Sequence, residues 1–196
     1  GGRLGYIVFY NFSFFINSPI KIFYVWHGGM SFHGGLIGIT ISMLLFTVKN
    51  NIRFLALTDL ICAAAPIGIF LGRISNFLNG ELWGKESSLP WAIIFKCAGE
   101  TPRHPSQLYE SFFEGIIIFT VLYYCIFKLN FLNQVGKISG LFCILYSSSR
   151  IFIELFREPD RHIGFVYSYY TMGMLLSIPI LLLGIYLYLR KHNYQI

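Results

Sequence analysis

Gly72-Arg73-Ile74-Ser75-Asn76-Phe77-Leu78-Asn79-Gly80-Glu81-Leu82-Trp83-Gly84 follows directly on an apolar segment, residues 54–72, whose one charged residue is Asp59 and which carries Pro66 inside. A helix of about 20 apolar residues crosses a bilayer, so the segment predicts a membrane span and the run after it sits at the membrane edge. One Arg, two Asn and a Glu between Arg73 and Glu81 are costly beside hydrocarbon unless each has a partner or a ligand. The run is therefore a candidate site. The plainer alternative is a re-entrant turn whose Asn and Glu side chains satisfy loose backbone, which leaves Arg73 unexplained.

The composition around this stretch agrees. Of 196 residues, 55% are hydrophobic and only 12% charged, where soluble domains carry about a quarter charged residues. This predicts an all-α integral membrane protein, a polytopic helical bundle forming a single membrane-embedded domain over residues 1–196. The formal charge of +6 comes without a block of Lys or Arg. It fits loop anchors and anionic membrane lipid, with no nucleic acid as partner. Cys62, Cys97, Cys125 and Cys143 show no CxxC or His-Cys spacing, so neither a disulfide framework, a metal nor a cofactor is expected.

Residues 4–16 are too short to span and resemble the back half of a helix, broken at Asn17-Ser18-Pro19. The chain opens on Gly1-Gly2-Arg3, without an initiator Met or a signal peptide, as if inside that helix. Four further spans are predicted besides 54–72: His33 to Val48, Pro105-Ser106 to Lys128, Gly136 to Arg157 with Pro159 as its stop, and about Tyr169 to Leu189. Residues 74–106 form a polar head. Alternation puts 49–53, 128–137 and 190–192 on one side, each basic and without an acid, which marks the cytoplasmic face. The head and the cavity beneath it then face outward.

Within the spans, Tyr146, Arg150, Glu154 and Arg157 are spaced i, i+4, i+8 and i+11, on one helix face. Arg150 pairs with Glu154, and Arg157 leaves positive charge over for an anion such as phosphate. The alternative is an interhelical salt bridge. Gln107, Glu110 and Glu114 line a second face, either toward the cavity or as a structural network. Asp59 reads as structural. His33, flanked by Gly34 and Gly35, is a candidate base, while His27, His104 and His162 rank lower. No GxSxG elbow, P-loop, Rossmann fingerprint or helix-borne metal motif occurs.

Five segments in order resemble the phosphatidylglycerol–prolipoprotein diacylglyceryl transferases of bacterial inner membranes. They are Gly1 to Tyr6, Phe32-His33-Gly34-Gly35-Leu36-Ile37-Gly38, Gly72 to Gly84, Arg103-His104-Pro105-Ser106-Gln107-Leu108-Tyr109-Glu110, and Arg150 to Asp160. The resemblance implies transfer of the diacylglyceryl group of phosphatidylglycerol to the lipobox cysteine thiol of a prolipoprotein signal peptide, with release of glycerol phosphate. It implies seven spans in the complete fold and an outward-opening cavity. It further implies that Arg73 binds the headgroup, and that His33, Asn76, Glu81, Gly84, Tyr146, Arg150 and Glu154 occupy positions the family needs, with His104 a further candidate.

The chemistry calls for neutralising the departing phosphate and for generating a thiolate. Arg73 and Arg150 suit the first need, with Arg157 behind them and Gly84 in the substrate site, and His33 suits the second. Glu81 and Glu154 either orient an arginine or accept the proton. Two departures stand out: Ser75 where the family has Gly, and the absence from this chain of an N-terminal span that includes an active-site Tyr. The second predicts that the chain as given is inactive or weak. The rival readings are a transporter or channel for a small anion or lipid, which calls for an internal repeat that is not found, and a metal-dependent phospholipid synthase, for which Asp59 and Asp160 are too few.

Overall fold

In a computed structural model of the chain, which describes residues 1–10, 12–24, 26, 28–159, 165–166 and 170–190, the apolar segment and the run after it form one helix, α4 (Phe54–Asn79). The head therefore begins later than residue 74. No Pro or bend interrupts Arg73 to Asn79, so the helix continues until Gly80 takes a φ of +66°. There Gly80 N–H donates to Phe77 O at 3.1 Å and Glu81 N–H to Asn76 O at 2.9 Å. This pair of bonds closes a helix end around a left-handed glycine. Arg73 and Asn76 are consequently held on helical backbone. Ser75 is exposed on the same helix.

The chain divides into two compact units, Gly1–Leu57 and Thr58–Ile196. The first holds α1 (Gly2–Tyr10), α2 (Phe12–Asn17), a 3-10 turn (Pro19–Phe23) and α3 (Phe32–Asn50). α1 lies on α3 through Gly1, Gly5, Gly34 and Gly38. A Cβ on Gly5 would stand 2.7 Å from the Gly34 Cα, so the close crossing depends on small residues spaced four apart. Arg3 binds the loop before α3, donating to the carbonyls of Lys21 (2.8 Å), Ile22 (3.1 Å), Tyr24 (3.1 Å) and Gly29 (3.2 Å), and to that of Gly28.

The second unit holds most of α4, then α5 (Ser106–Glu110), a π-helical stretch (Ser111–Ile117) and α6 (Ile118–Phe127) in one continuous helix, then α7 (Lys137–Ile153) and α8 (Met172–Leu189). Two antiparallel pairs of two-residue strands add to the helices: β1 (Ile93–Ile94) with β2 (Pro102–Arg103), and β3 (Phe165–Val166) with β4 (Tyr170–Thr171). Ile118, Leu122, Cys125 and Ile138 form the core where α6 meets α7. α7 and α8 approach through Gly140 and Gly184; a Cβ on Gly184 would stand 2.8 Å from the Cys143 Cβ. Asp59 is buried and caps α7 from α4: Gly136 N–H donates to Oδ2 at 2.6 Å, and Ser139 N–H and Oγ–H to Oδ1 at 2.8 and 2.6 Å. Its structural reading therefore stands, since a carboxylate at a helix N-terminus satisfies otherwise orphaned donors.

Among the described residues, three helices are long and apolar enough to cross a membrane: Phe54–Asn79, Ser106–Phe127 and Met172–Leu189. The chain is mostly helical, as an all-α membrane protein requires. α3 and α7 occupy the other two predicted spans. α7 ends at Ile153, six residues before the predicted stop at Pro159. The reason lies in the head, where Lys85 N–H takes the Phe156 carbonyl at 2.9 Å and Gly84 forms an antiparallel bridge with Arg157. The Phe156 carbonyl thus serves a strand, while the Phe156 and Arg157 N–H groups still turn back to Ile153 O at 2.9 and 3.2 Å. His27, Asp160 and His162 lie outside the described residues.

Candidate active site

Pro fits the start of a helix but not its interior, so α5 begins immediately after Pro105. Gln107, Glu110 and Glu114 then fall on one face, and all three are fully buried. A buried carboxylate needs cationic partners. Here they come from three segments of the same unit. Arg73 on α4 brings Nη1 to 3.2 Å from Glu110 Oε2. Arg150 on α7 hydrogen-bonds Glu110 Oε1 through Nη1, and Arg157, past the end of α7, donates to the same oxygen at 2.9 Å. Arg150 also reaches Glu154 one turn on, with Nη2 3.1 Å from Oε2.

Glu110 thus gathers three guanidiniums on one carboxylate, and Arg150 ties that carboxylate to Glu154. A Cβ on Gly173, at the start of α8, would stand 2.8 Å from Glu154 Oε1, so the helix backbone leaves that carboxylate just enough room. Glu114 sits in the π-helical stretch, 3.7 Å from Arg73 Nη2 and 4.0 Å from Arg150 Nη1. The predicted surplus of positive charge over Glu154 is corrected by these two acids. Three guanidiniums face three carboxylates, and the formal charges cancel.

Above this cluster the run Gly80–Gly84 is strapped to α5. Gln107 Nε2 donates to Glu81 O at 2.5 Å, and Ser106 Oγ to Leu82 O at 3.1 Å. Between those anchors Leu82 takes a φ of +56°, a left-handed conformation costing roughly 1–2 kcal/mol for a residue with a Cβ. Asn76 Nδ2 donates to Glu81 Oε2 at 3.4 Å on the exposed side of the same turn. Gly84 N–H donates to His104 O at 2.9 Å. A Cβ at Gly84 would come within 2.6 Å of both the His104 Cβ and the Phe156 O. The glycine is required because three backbone segments meet there.

His104 packs edge-on to Tyr109 and Phe156, with centroids 5.9 and 5.4 Å away. Trp91 Nε1 donates to Tyr109 Oη at 2.8 Å, and the same oxygen lies 3.2 Å from His104 Nδ1. Tyr109 Oη thus joins Trp91 and His104 in one hydrogen-bonded group. Burial, aided by the nearby Lys85 charge, holds His104 below the ordinary histidine range.

The structure therefore joins Arg150, Glu154 and Arg157, which share the predicted helix face, with Arg73 from α4 in one ion cluster. Tyr146, one turn before Arg150, stacks on Phe142 with ring centroids 5.7 Å apart. Asn76, Glu81, Gly84 and His104 build the turn and head above. His33 is exposed on α3 of the first unit, where Ser31 caps the helix by accepting from Gly34 N–H at 3.2 Å. Glu110, the center of the cluster, is not singled out by sequence as a site residue. Its signal was the i, i+3, i+7 stripe it shares with Gln107 and Glu114.

The family model described as prolipoprotein diacylglyceryl transferase matches residues 1–190. The relatives that carry the name phosphatidylglycerol–prolipoprotein diacylglyceryl transferase include the following three. One from Sinorhizobium medicae (strain WSM419) is 47% identical over 194 residues, 98% of this chain and 69% of the relative. One from Rickettsia bellii (strain OSU 85-389) is 50% identical over 190 residues, 97% and 72% of the two chains. One from Beijerinckia indica subsp. indica is 50% identical over 193 residues, covering 97% and 70%.

Proposed function

The chain belongs to the prolipoprotein diacylglyceryl transferase family, and from that premise we propose that the arginine–carboxylate cluster around Glu110 is where it handles phosphatidylglycerol. The enzyme is a transferase that moves the diacylglyceryl group of phosphatidylglycerol to a prolipoprotein. The acceptor is the thiol of the lipobox cysteine in the signal peptide. Its sulfur forms a bond to the glycerol carbon, the carbon–oxygen bond to phosphate breaks, and the electron pair leaves on the phosphate oxygen. The products are a thioether and glycerol phosphate.

The observation that carries this reading is the convergence of Arg73, Arg150 and Arg157 on Glu110 from separate segments. Guanidiniums fixed in this way are preorganised for a phosphate and for the charge that develops as it departs. Arg73 and Arg150 contact the headgroup, and Arg157 supports them. Glu154 orients Arg150, and Tyr146 lies beside the reacting lipid. Asn76 and Glu81 shape the turn at the mouth, Gly84 and His104 hold the head over it, and His33 takes the thiol proton. A thiol is only a few per cent ionised near neutrality, so such a base is needed.

The membrane-embedded domain comprises residues 1–196, with five full spans after a shorter N-terminal helix. It lies in the bacterial inner membrane with its cavity and the head, which begins at Gly80 after the end of α4, facing outward. The test, like the kinetic tests below, uses the full-length protein in phosphatidylglycerol liposomes with a lipobox peptide, reading thioether-linked diacylglyceryl by mass spectrometry and released glycerol phosphate. Arg73→Ala abolishes both products while the protein still inserts; unchanged modification of the peptide by that variant overturns the assignment.

A further inference from the structure

A cluster of three guanidiniums and three carboxylates has no net formal charge, yet under the proposed reaction it receives a phosphodiester anion. One carboxylate must therefore yield an arginine to the ligand. The three acids are held very differently. Glu110 accepts from Arg150 and Arg157 and pairs with Arg73 at 3.2 Å. Glu154 pairs with Arg150 at 3.1 Å. Glu114 stands off at 3.7 Å from Arg73 and 4.0 Å from Arg150, both beyond hydrogen-bond length.

Neither oxygen of Glu114 accepts a hydrogen bond from any described group, although the side chain is fully buried. Such a group is expensive to keep and usually has a use. Its backbone lies in the π-helical stretch, a local widening found mostly at functional positions. Gly115 beside it packs so tightly on Phe70 that a Cβ would stand 2.8 Å from the Phe70 Cβ, so the stretch cannot slide to improve the pairing. Among the arginines, Arg73 is the most exposed, at 18% against 14% for Arg150 and 9% for Arg157. Arg150 is committed to two acids at 3.1 Å or less, and Arg157 is almost closed off.

We propose that Glu114 is a positioning residue that holds Arg73 by a deliberately long ion pair, and that the phosphate of the lipid headgroup takes Arg73 from it while Glu110 keeps the three guanidiniums together. This rests on the phosphatidylglycerol reading above. Glu114 then competes with both the substrate and the product phosphate. It lowers ground-state affinity and lets the product anion leave by reclaiming Arg73. An arginine pair without that competitor would grip both phosphates.

The test is Glu114→Gln, reconstituted in liposomes of stated phosphatidylglycerol content, with KM for phosphatidylglycerol and the inhibition constant for added glycerol phosphate. Both fall by about tenfold, equivalent to about 1.4 kcal/mol of tighter binding, and kcat falls as product release slows. Glu114→Asp, which keeps the charge but withdraws it, gives an intermediate tightening. A merely structural role would lower kcat or the folded yield without tightening glycerol phosphate. Unchanged or weaker binding of glycerol phosphate by folded Glu114→Gln overturns the proposal even where transfer proceeds. Failure of the wild-type protein to modify the peptide would instead strike the functional reading.

Discussion

Replacing Glu110 by Gln tests the center of the cluster with almost no change of shape. Gln keeps one acceptor oxygen for Arg150 or Arg157, but its amide nitrogen then points a donor at Arg73, 3.2 Å from the present Oε2. Three guanidiniums are left facing two carboxylates. Removing one partner of a buried ion pair costs about 3–5 kcal/mol, because the other charge stays buried. Glu114 and Glu154 remain nearby and relieve part of that, so about 2–4 kcal/mol is expected from the same principle. For a chain of this size, each kcal/mol lowers the midpoint by roughly 2–4 °C, so Tm falls by about 4–16 °C. The arginines also lose their common anchor, and a displacement of about 1 Å at a reacting group costs about a hundredfold in rate. Thermal unfolding in detergent, followed by tryptophan fluorescence, and the initial rate of peptide modification in liposomes measure the two effects. A Glu110→Gln variant with the wild-type midpoint and rate would refute the view that this carboxylate assembles the site.

Two further perturbations separate scaffold from chemistry. Asp59→Ala removes three hydrogen bonds at the start of α7 and should cost about 2–4 kcal/mol, summing a lost cap and lost charge-assisted bonds. The rate per folded molecule stays unchanged, and an equally depressed rate would place Asp59 in the reaction. For His104, held below the ordinary histidine range, the neutral form belongs to the fold. Its contribution is complete above the unfolded value of about 6.5 and is lost as pH falls through the lower folded value. The midpoint of the wild type therefore drops more steeply on acidification than that of His104→Phe, and parallel curves would refute this.

The fold was readable in sequence where length and apolarity decide it. The helices α3, α4, α6 and α8 lie where hydrophobic runs of sufficient length meet turn residues, and Pro105 correctly marks the start of α5. The errors fall at the membrane edge. The end of α7 meets a strand contact from some seventy positions away, where Lys85 N–H donates to Phe156 O and Glu158 N–H to Trp83 O, and no local signal at Ile153 announces it. The continuation of α4 to Asn79 has the opposite cause, because polar residues there suggested a head while nothing in the backbone forbade a helix.

At the site, Arg73, Arg150, Glu154 and Arg157 were recognisable because a charge inside an apolar segment calls for explanation. Glu110 and Glu114 were recognised as a stripe, but their roles were not. A carboxylate's role depends on which cations reach it, and these come from α4 and from the end of α7. The Gly72–Gly84 run holds Arg73, whereas the acids that pair with it, Glu110 and Glu114, lie outside that run.

The strand contacts joining Gly84 and Lys85 to Phe156 and Arg157 have a mechanical meaning. They knot the emergence point of Arg73's helix to that of Arg150's helix at the polar surface, by peptide bonds to peptide bonds. Helices in a bilayer tilt and slide as its thickness changes, but two helices knotted at one end pivot about that knot. The arginines lie close to the pivot, where displacement is smallest. Motion of the two helices about that knot displaces their far ends most and the guanidiniums near it least.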